Sequence, residues 1–194
     1  MSSAMSNVVL FVHVSLDGFV AGPNGEMDWI SAPEELFDFV GQRVNDVQTA
    51  LYGRATYQMM QDYWPTAADQ PDASRHDIEH SRWYASVTKV VMSRTMSADN
   101  AGGARVIGAD LYREIGELRR ERDGEIVMFG SPTAAHALMA EDLIDGYWLF
   151  VNPVVLGAGI PLFERPAVVS KLRLLDTHTF DCGVVSLNYV RATE

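Results

Sequence analysis

The sequence predicts an α/β fold: a central mixed, mostly parallel sheet of about eight strands, covered by helices on both faces and finished by antiparallel strands. Three observations predict it. Short apolar runs rich in β-branched residues alternate with longer segments of helical period as far as Phe129. After Asp145 only strand-like runs follow. The chain has 194 residues, 47% of them apolar, a globular composition that buries roughly 70% of its unfolded surface and needs no disulfide or metal staple. No repeat, low-complexity tract or linker divides it, so one domain over residues 1–194 is expected.

The elements follow in order. Residues 8–14 are almost continuously apolar, as in a central strand buried on both faces. A Gly/Pro/Asn loop spans 15–30. Pro33-Glu34-Glu35-Leu36 opens a helix, with Ser31 as candidate cap, acids in the first turn where the macrodipole favours them, and Leu36, Phe37, Val40 and Val44 as its apolar stripe. Residues 49–52 form a short strand ending at Gly53, 55–61 turn helical, and 65–71 reads as an exposed loop. A helix over about 73–86 leads to a strand at 89–93, a polar loop, a small strand at 105–107 and a charged helix at 110–122, closed by Asp123-Gly124. Residues 125–129 are another buried strand, and Ser131-Pro132 opens a helix that runs to about Ala140. The runs 147–151, 171–179 and 183–191 are expected to pair antiparallel.

Net charge is −11 and Lys89 and Lys171 are the only lysines, so nucleic acid and anionic membrane surfaces are not expected partners. The opening residues 1–7 carry no charge, and the apolar run 8–14 meets Asp17-Gly18 too early for a signal peptide or a membrane span. The lone Cys182 allows no intrachain disulfide and reads as a small hydrophobe; the cytoplasm is the expected compartment.

In an open α/β sheet, ligands bind beyond the carboxyl ends of the strands. Three such ends look alike: Gly53-Arg54-Ala55-Thr56, Ser93-Arg94-Thr95 and Gly130-Ser131-Pro132-Thr133. Each offers a small residue that lets backbone approach a ligand and hydroxyl groups, and two carry an arginine. The first and third also open helices whose free N–H groups attract phosphate. Together they suggest a dinucleotide cradle. Singly, Gly53 and Gly130 also read as plain turn residues, and Ser131-Pro132 as a helix cap followed by proline.

These turns resemble those of the dihydrofolate reductase-like superfamily. Four blocks carry the resemblance: Ser15-Leu16-Asp17-Gly18-Phe19-Val20-Ala21-Gly22 with Met27-Asp28-Trp29; Leu51-Tyr52-Gly53-Arg54-Ala55-Thr56-Tyr57; Val90-Val91-Met92-Ser93-Arg94-Thr95; and Val127-Met128-Phe129-Gly130-Ser131-Pro132-Thr133. A fifth, Val151-Asn152-Pro153-Val154-Val155-Leu156-Gly157-Ala158-Gly159-Ile160-Pro161-Leu162-Phe163, is similar to the reductase domain of riboflavin biosynthesis and its stand-alone relatives. The blocks span residues 8 to about 165. The resemblance implies a three-layer dihydrofolate reductase-like fold, hydride transfer from NADPH to a small heterocyclic or carbonyl substrate, and a homodimer. The phosphoribosylamino-pyrimidine of the riboflavin pathway and pteridines are the candidate substrates.

It further implies that Gly53, Arg54 and Thr56 hold the pyrophosphate and adenosine side, Ser93 and Arg94 the 2′-phosphate, and Gly130, Ser131 and Thr133 a second helix-terminal phosphate contact. The family usually has Gly-Gly where this chain has Gly130-Ser131. Residues 17–25 correspond to a mobile lid over the nicotinamide, with Val14 and Val20 as ring contacts. Glu35 is the implied proton donor, its carboxyl half-buried and raised in pKa, with Asp28 as rival. Glu34 and Glu35 read equally as complements to the helix dipole. Trp29, Tyr57, Trp64 and Phe163 are candidate walls of the substrate pocket, and each also reads as core. For the dimer, the apolar strand near 183–190 would end the sheet and need covering.

Two competing readings come from other classes. A protein that binds NADPH without catalysis would keep the cradle. His76-Asp77-Ile78-Glu79-His80 matches the His-x-x-Glu-His helix signature of inverzincin metallopeptidases, in which histidines at i and i+4 share a zinc. A nucleobase deaminase is excluded, because no His-x-Glu is followed by Pro-Cys-x-x-Cys.

Overall fold

The computed structural model describes residues 5–121, 124–164 and 169–192; Arg122 and Asp123, expected to finish and close the fourth helix, lie outside them. Strand β1 (Asn7–Ser15) sits where its doubly apolar sequence demands. Val8, Leu10, Val12 and Val14 face one core, Val9 and Phe11 the other. The chain then forms β2 (Phe19–Ala21), β3 (Thr49–Gly53), β4 (Thr88–Met92), β5 (Arg105–Ile107), β6 (Glu125–Phe129), β7 (Gly146–Asn152), β8 (Ile160–Pro161), β9 (Leu172–Thr179) and β10 (Val185–Arg191). Eight of them build one sheet in the order β5-β4-β3-β6-β1-β7-β10-β9, while β2 and β8 pair as a separate antiparallel ribbon.

The last strands pair antiparallel with one another as expected, β7 with β10 and β10 with β9, but their placement in the sheet is corrected. β7 runs parallel to β1 and antiparallel only to β10. The reason is the helix before it, which carries the chain back along the sheet so that β7 starts at the same end as β1. β10 does not end the sheet either: it lies between β7 and β9, and β9 is the edge. On that edge Leu174 is 46% exposed and Leu175 50%. All strands from β5 to β7 therefore present their carboxyl ends along one rim.

Helices α1 (Glu34–Val44), α2 (Arg54–Ala67) and α3 (Arg75–Ser86) cover one face through Leu36, Val40, Val44, Tyr57, Trp83 and Tyr84. Helices α4 (Leu111–Glu121) and α5 (Pro132–Ala140) cover the other through Ile115, Leu118, Ala134, Ala135 and Leu138. Ser31 is no cap: Pro33 holds that position, and the Ser31 N–H donates instead to Asn152 Oδ1 at 3.0 Å. α2 extends through Pro65, which reads as loop in the sequence, because Trp64 packs its ring against His80 of α3, 4.0 Å between centroids. No helix among the described residues is long and apolar enough to cross a membrane.

The His-x-x-Glu-His run has a packing role. His76 stacks on Phe37 of α1 at 4.1 Å, and His80 lies between Trp64 and Trp83. Among the described residues no three His, Cys, Asp or Glu side chains group as a metal would require. These histidines are aromatic plates between helices.

Burial leaves a mark on stability. It pushes the His80 pKa down from 6.5 to about 3, with His76 adding to the effect and Asp77 opposing it, and pushes His13 down to about 4. Both rings stay neutral in the folded state over a range where the unfolded chain is protonated. Their stabilising neutrality is complete above about pH 6.5 and is lost as pH falls toward 4 and 3, by up to about 1.4 kcal/mol per pH unit for each ring. Chemical denaturation between pH 7 and 5 should show this decline. His80→Phe should make it shallower, leaving the His13 part, and an unaltered slope in that variant would count against the assignment.

Candidate functional site

Along the rim, the β3–α2 and β6–α5 turns are side by side because β3 and β6 are neighbours. A Cβ added at Gly53 would stand 2.7 Å from the Ser131 Cβ and 3.2 Å from the Ala134 Cβ, so only glycine lets the two turns meet this closely. Gly130 and Ser131 both have positive φ, 52° and 62°. Glycine adopts that conformation freely; for Ser131 it costs roughly 1–2 kcal/mol. Thr56 on the first turn of α2 faces Gly130 across the gap.

The helix ends here differ from the others. α2 and α5 have no acidic residue in the first turn and no side-chain cap, whereas α1 carries Glu34 and Glu35, α3 a capping box of Ser74 and Asp77, and α4 Glu114. Two adjacent helix N-termini are thus left with free N–H groups and their positive dipole ends. The β4 turn joins them. Arg54 donates to Thr95 Oγ1 at 2.9 Å, bridging the ends of β3 and β4. The Ser93 hydroxyl accepts from the N–H groups of Thr95 and Met96, which shapes the loop and leaves its own proton to donate. Arg94 is exposed and makes no hydrogen bond or ion pair among the described residues, and Thr133 is exposed at the start of α5. Gly53, Arg54, Thr56, Ser93, Arg94, Gly130, Ser131 and Thr133 thus share one rim.

The loop after β1 is tied by hydrogen bonds to the segment around β8. The Asp17 carboxylate accepts from Ser15 Oγ at 2.7 Å and from the N–H groups of Leu156 and Gly157 at 3.1 and 2.8 Å. These bonds, led by that from Ser15, hold its pKa below the usual carboxylate range. Leu16 N–H donates to the Val154 carbonyl and Leu162 N–H to that of Gly18. Residues 15–21 are therefore pinned to residues 154–162, and His136 on α5 binds the Pro161 and Leu162 carbonyls from below. Val14 and Val20 are buried in the core on the α4 and α5 side. A small cavity bounded by Val12, Val20, Gly130, Pro132 and Leu162 lies between β2 and the β6–α5 turn.

The acid and the aromatic walls fall out differently. Glu35 lies on the exposed face of α1, and the His178 ring of β9 stands 3.9 Å from its carboxylate. The helical period turns Leu36, not Glu35, into the core. Asp28 is exposed in the loop before α1. The four aromatic residues do not converge. Tyr57 is buried in the core and donates to the Ala101 carbonyl, Trp64 is wedged between α2 and α3, and Phe163 packs on Tyr147 on the opposite face. Trp29 donates to the Glu26 carbonyl within its loop.

A buried polar cluster at the ends of β1 and β7 escapes the sequence reading. Asn152, 1% exposed, ties Ser31, Phe150 and His13 together. Its signal was the apolar run around it: an asparagine ending a buried strand needs partners.

Residues 6–186 match the RibD C-terminal domain family. Uncharacterized protein YyaP of Bacillus subtilis is 34% identical over 94% of this chain and 93% of its own. A crystal structure from a Shewanella species, ascribed to riboflavin biosynthesis, superposes with a TM-score of 0.74 at 21% identity, covering 96% of this chain and 99% of that one. Dihydrofolate reductase of Enterococcus faecalis, complexed with NADP(H), superposes with a TM-score of 0.63 at 16% identity, covering 98% and 99%. The fold is therefore the dihydrofolate reductase-like one.

The contact between the two turns is testable. Gly53 has φ −76°, which alanine adopts without strain, so the cost of Gly53→Ala is overlap with α5 alone. Urea denaturation should show a loss of about 1–3 kcal/mol. Adding Ser131→Gly, which removes the nearer obstruction, should return part of it. A Gly53→Ala protein as stable as wild type would remove the contact from the account.

Proposed function

The chain belongs to the RibD C-terminal domain family, and we propose that it is an NADPH-dependent reductase acting on a small heterocyclic or carbonyl substrate. The observation that carries the proposal is the pair of adjacent, uncapped, acid-free helix N-termini at the β3 and β6 ends, with Arg54 and Arg94 beside them. In a chain of net charge −11, this is a local site for an anion. It fits a dinucleotide phosphate: Gly53 and Gly130 bring the backbone close, and an arginine's planar fork pairs with phosphate oxygens at any working pH.

In this reading Gly53, Arg54 and Thr56 hold the pyrophosphate side and Gly130, Ser131 and Thr133 the second helix-terminal contact. Ser93 and Arg94 take the 2′-phosphate. NADPH, when bound, supplies the hydride. Val14 and Val20 form an apolar floor that excludes water, and the Asp17 clamp holds the loop above it in place. Glu35 is the proposed proton donor, with Asp28 as its rival; both are open to solvent. Phosphoribosylamino-pyrimidines and pteridines are the substrate classes, in the cytoplasm. The same reading includes a homodimer, in which the exposed leucines of β9 become covered. Light scattering at micromolar concentration should give the dimer mass, and a monomer would contradict it.

Cofactor titration is the direct test. NADPH should bind more tightly than NADH. Arg94→Ala should cost NADPH roughly 1.5–3 kcal/mol while leaving NADH nearly unchanged. Equal dissociation constants for the two cofactors would overturn the 2′-phosphate assignment. Tight NADPH binding without turnover across pyrimidine, pteridine and quinone substrates would make this a binding protein instead of an enzyme.

A further inference from the structure

His13 has no part in the cofactor site, yet the structure fixes its proton. Asn152 is oriented by its neighbours: Oδ1 accepts the Ser31 N–H at 3.0 Å, so Nδ2 is the end that donates to the Phe150 carbonyl at 3.0 Å and faces His13 Nδ1 at 3.3 Å. An amide N–H can only donate, so Nδ1 of His13 must accept, and the single proton of the neutral ring lies on Nε2. Burial keeps the ring neutral by holding its pKa near 4. The ring is clamped in place, stacked on Phe150 at 5.2 Å and set edge-on to Phe11 at 6.0 Å.

Nε2 is where the cluster ends. It has no hydrogen-bond partner among the described residues, although His13 is not fully buried. It also belongs to the functional rim, because His13 is two residues past Phe11, whose carbonyl takes the Gly130 N–H at 3.0 Å. His13 projects on the α1 side of β1, across the strand from the Val14 and Val20 floor. A donor that is held, neutral and unpaired beside an aromatic wall suits a planar ring bearing a carbonyl oxygen or a pyridine-type nitrogen.

We propose that His13 is a substrate-binding residue, donating a hydrogen bond from Nε2–H to an acceptor atom of a heterocyclic substrate on the α1 side of β1. The inference rests on the reductase reading. Hydride arriving at a conjugated carbonyl or imine raises electron density on its acceptor atom, so this bond strengthens toward the transition state and appears in kcat.

The test uses the full chain. Nitrogen NMR of the ¹⁵N-histidine-labelled protein should give the Nε2–H tautomer for His13. His13→Phe keeps the ring against Phe150 and removes the donor. With NADPH and a pyrimidinedione or pteridine that the wild type reduces, its kcat should fall by about ten- to a hundredfold. Its NADPH affinity should be unchanged. His13→Gln, which retains an N–H donor, should recover part of the loss. A His13 Nδ1–H tautomer, or a His13→Phe enzyme with wild-type kcat, overturns the assignment and leaves the reductase reading standing. A wild type that binds no NADPH overturns the reductase reading, and this inference falls with it.

Discussion

Strand β1 is hydrogen-bonded in parallel on both edges and packed on both faces, and the site inherits its geometry from that position. With β6 on one side and β7 on the other, alternate residues of β1 feed two separate cores. Its carboxyl end then lies between Gly130 and Asn152. The 16–25 loop follows directly from that end, and Val14 and Ser15 are the last residues of β1 on its two faces. A polar residue between Val8 and Val12 would have to sit against a core, where an unpaired group costs about 1–3 kcal/mol.

Much of the fold was legible because local pattern and burial agree. The almost continuous apolar run of β1, the β-branched runs of β4 and β6, and the helix opened by Ser131-Pro132 each read correctly within a residue or two. The errors lie where tertiary context decides. Nothing local distinguishes a strand that returns after a helix from one that returns after a turn in the way that separates β7 from β10. Pro65 marks a break by itself, yet aromatic packing between α2 and α3 carries the helix past it.

The site was legible in part, and the division is physical. The turns proposed to hold phosphate are made of backbone and small residues in contiguous motifs, so Gly53, Arg54, Gly130 and Ser131 stand out in the sequence, and they meet along one rim. Pocket walls and proton donors depend on side-chain direction. Tyr57, Trp64 and Phe163 therefore disperse, and Glu35 turns outward. The Asp17 clamp and the Asn152 cluster join residues far apart in sequence, and pairwise spacing carries no trace of them.

The position of β1 also has a consequence for how the protein is made. Asn7 pairs with Glu125 and Val9 with Gly146, so of the strands described here β1 is made earliest and waits longest for its neighbours. Contacts this distant in sequence slow folding, and an apolar segment waiting for its partners is open to association with other chains. Residues 8–12 are Val-Val-Leu-Phe-Val, a run without charge. The rim can form only after this run has docked between β6 and β7, because the β6–α5 turn is tied to it through the Gly130 N–H and the Phe11 carbonyl.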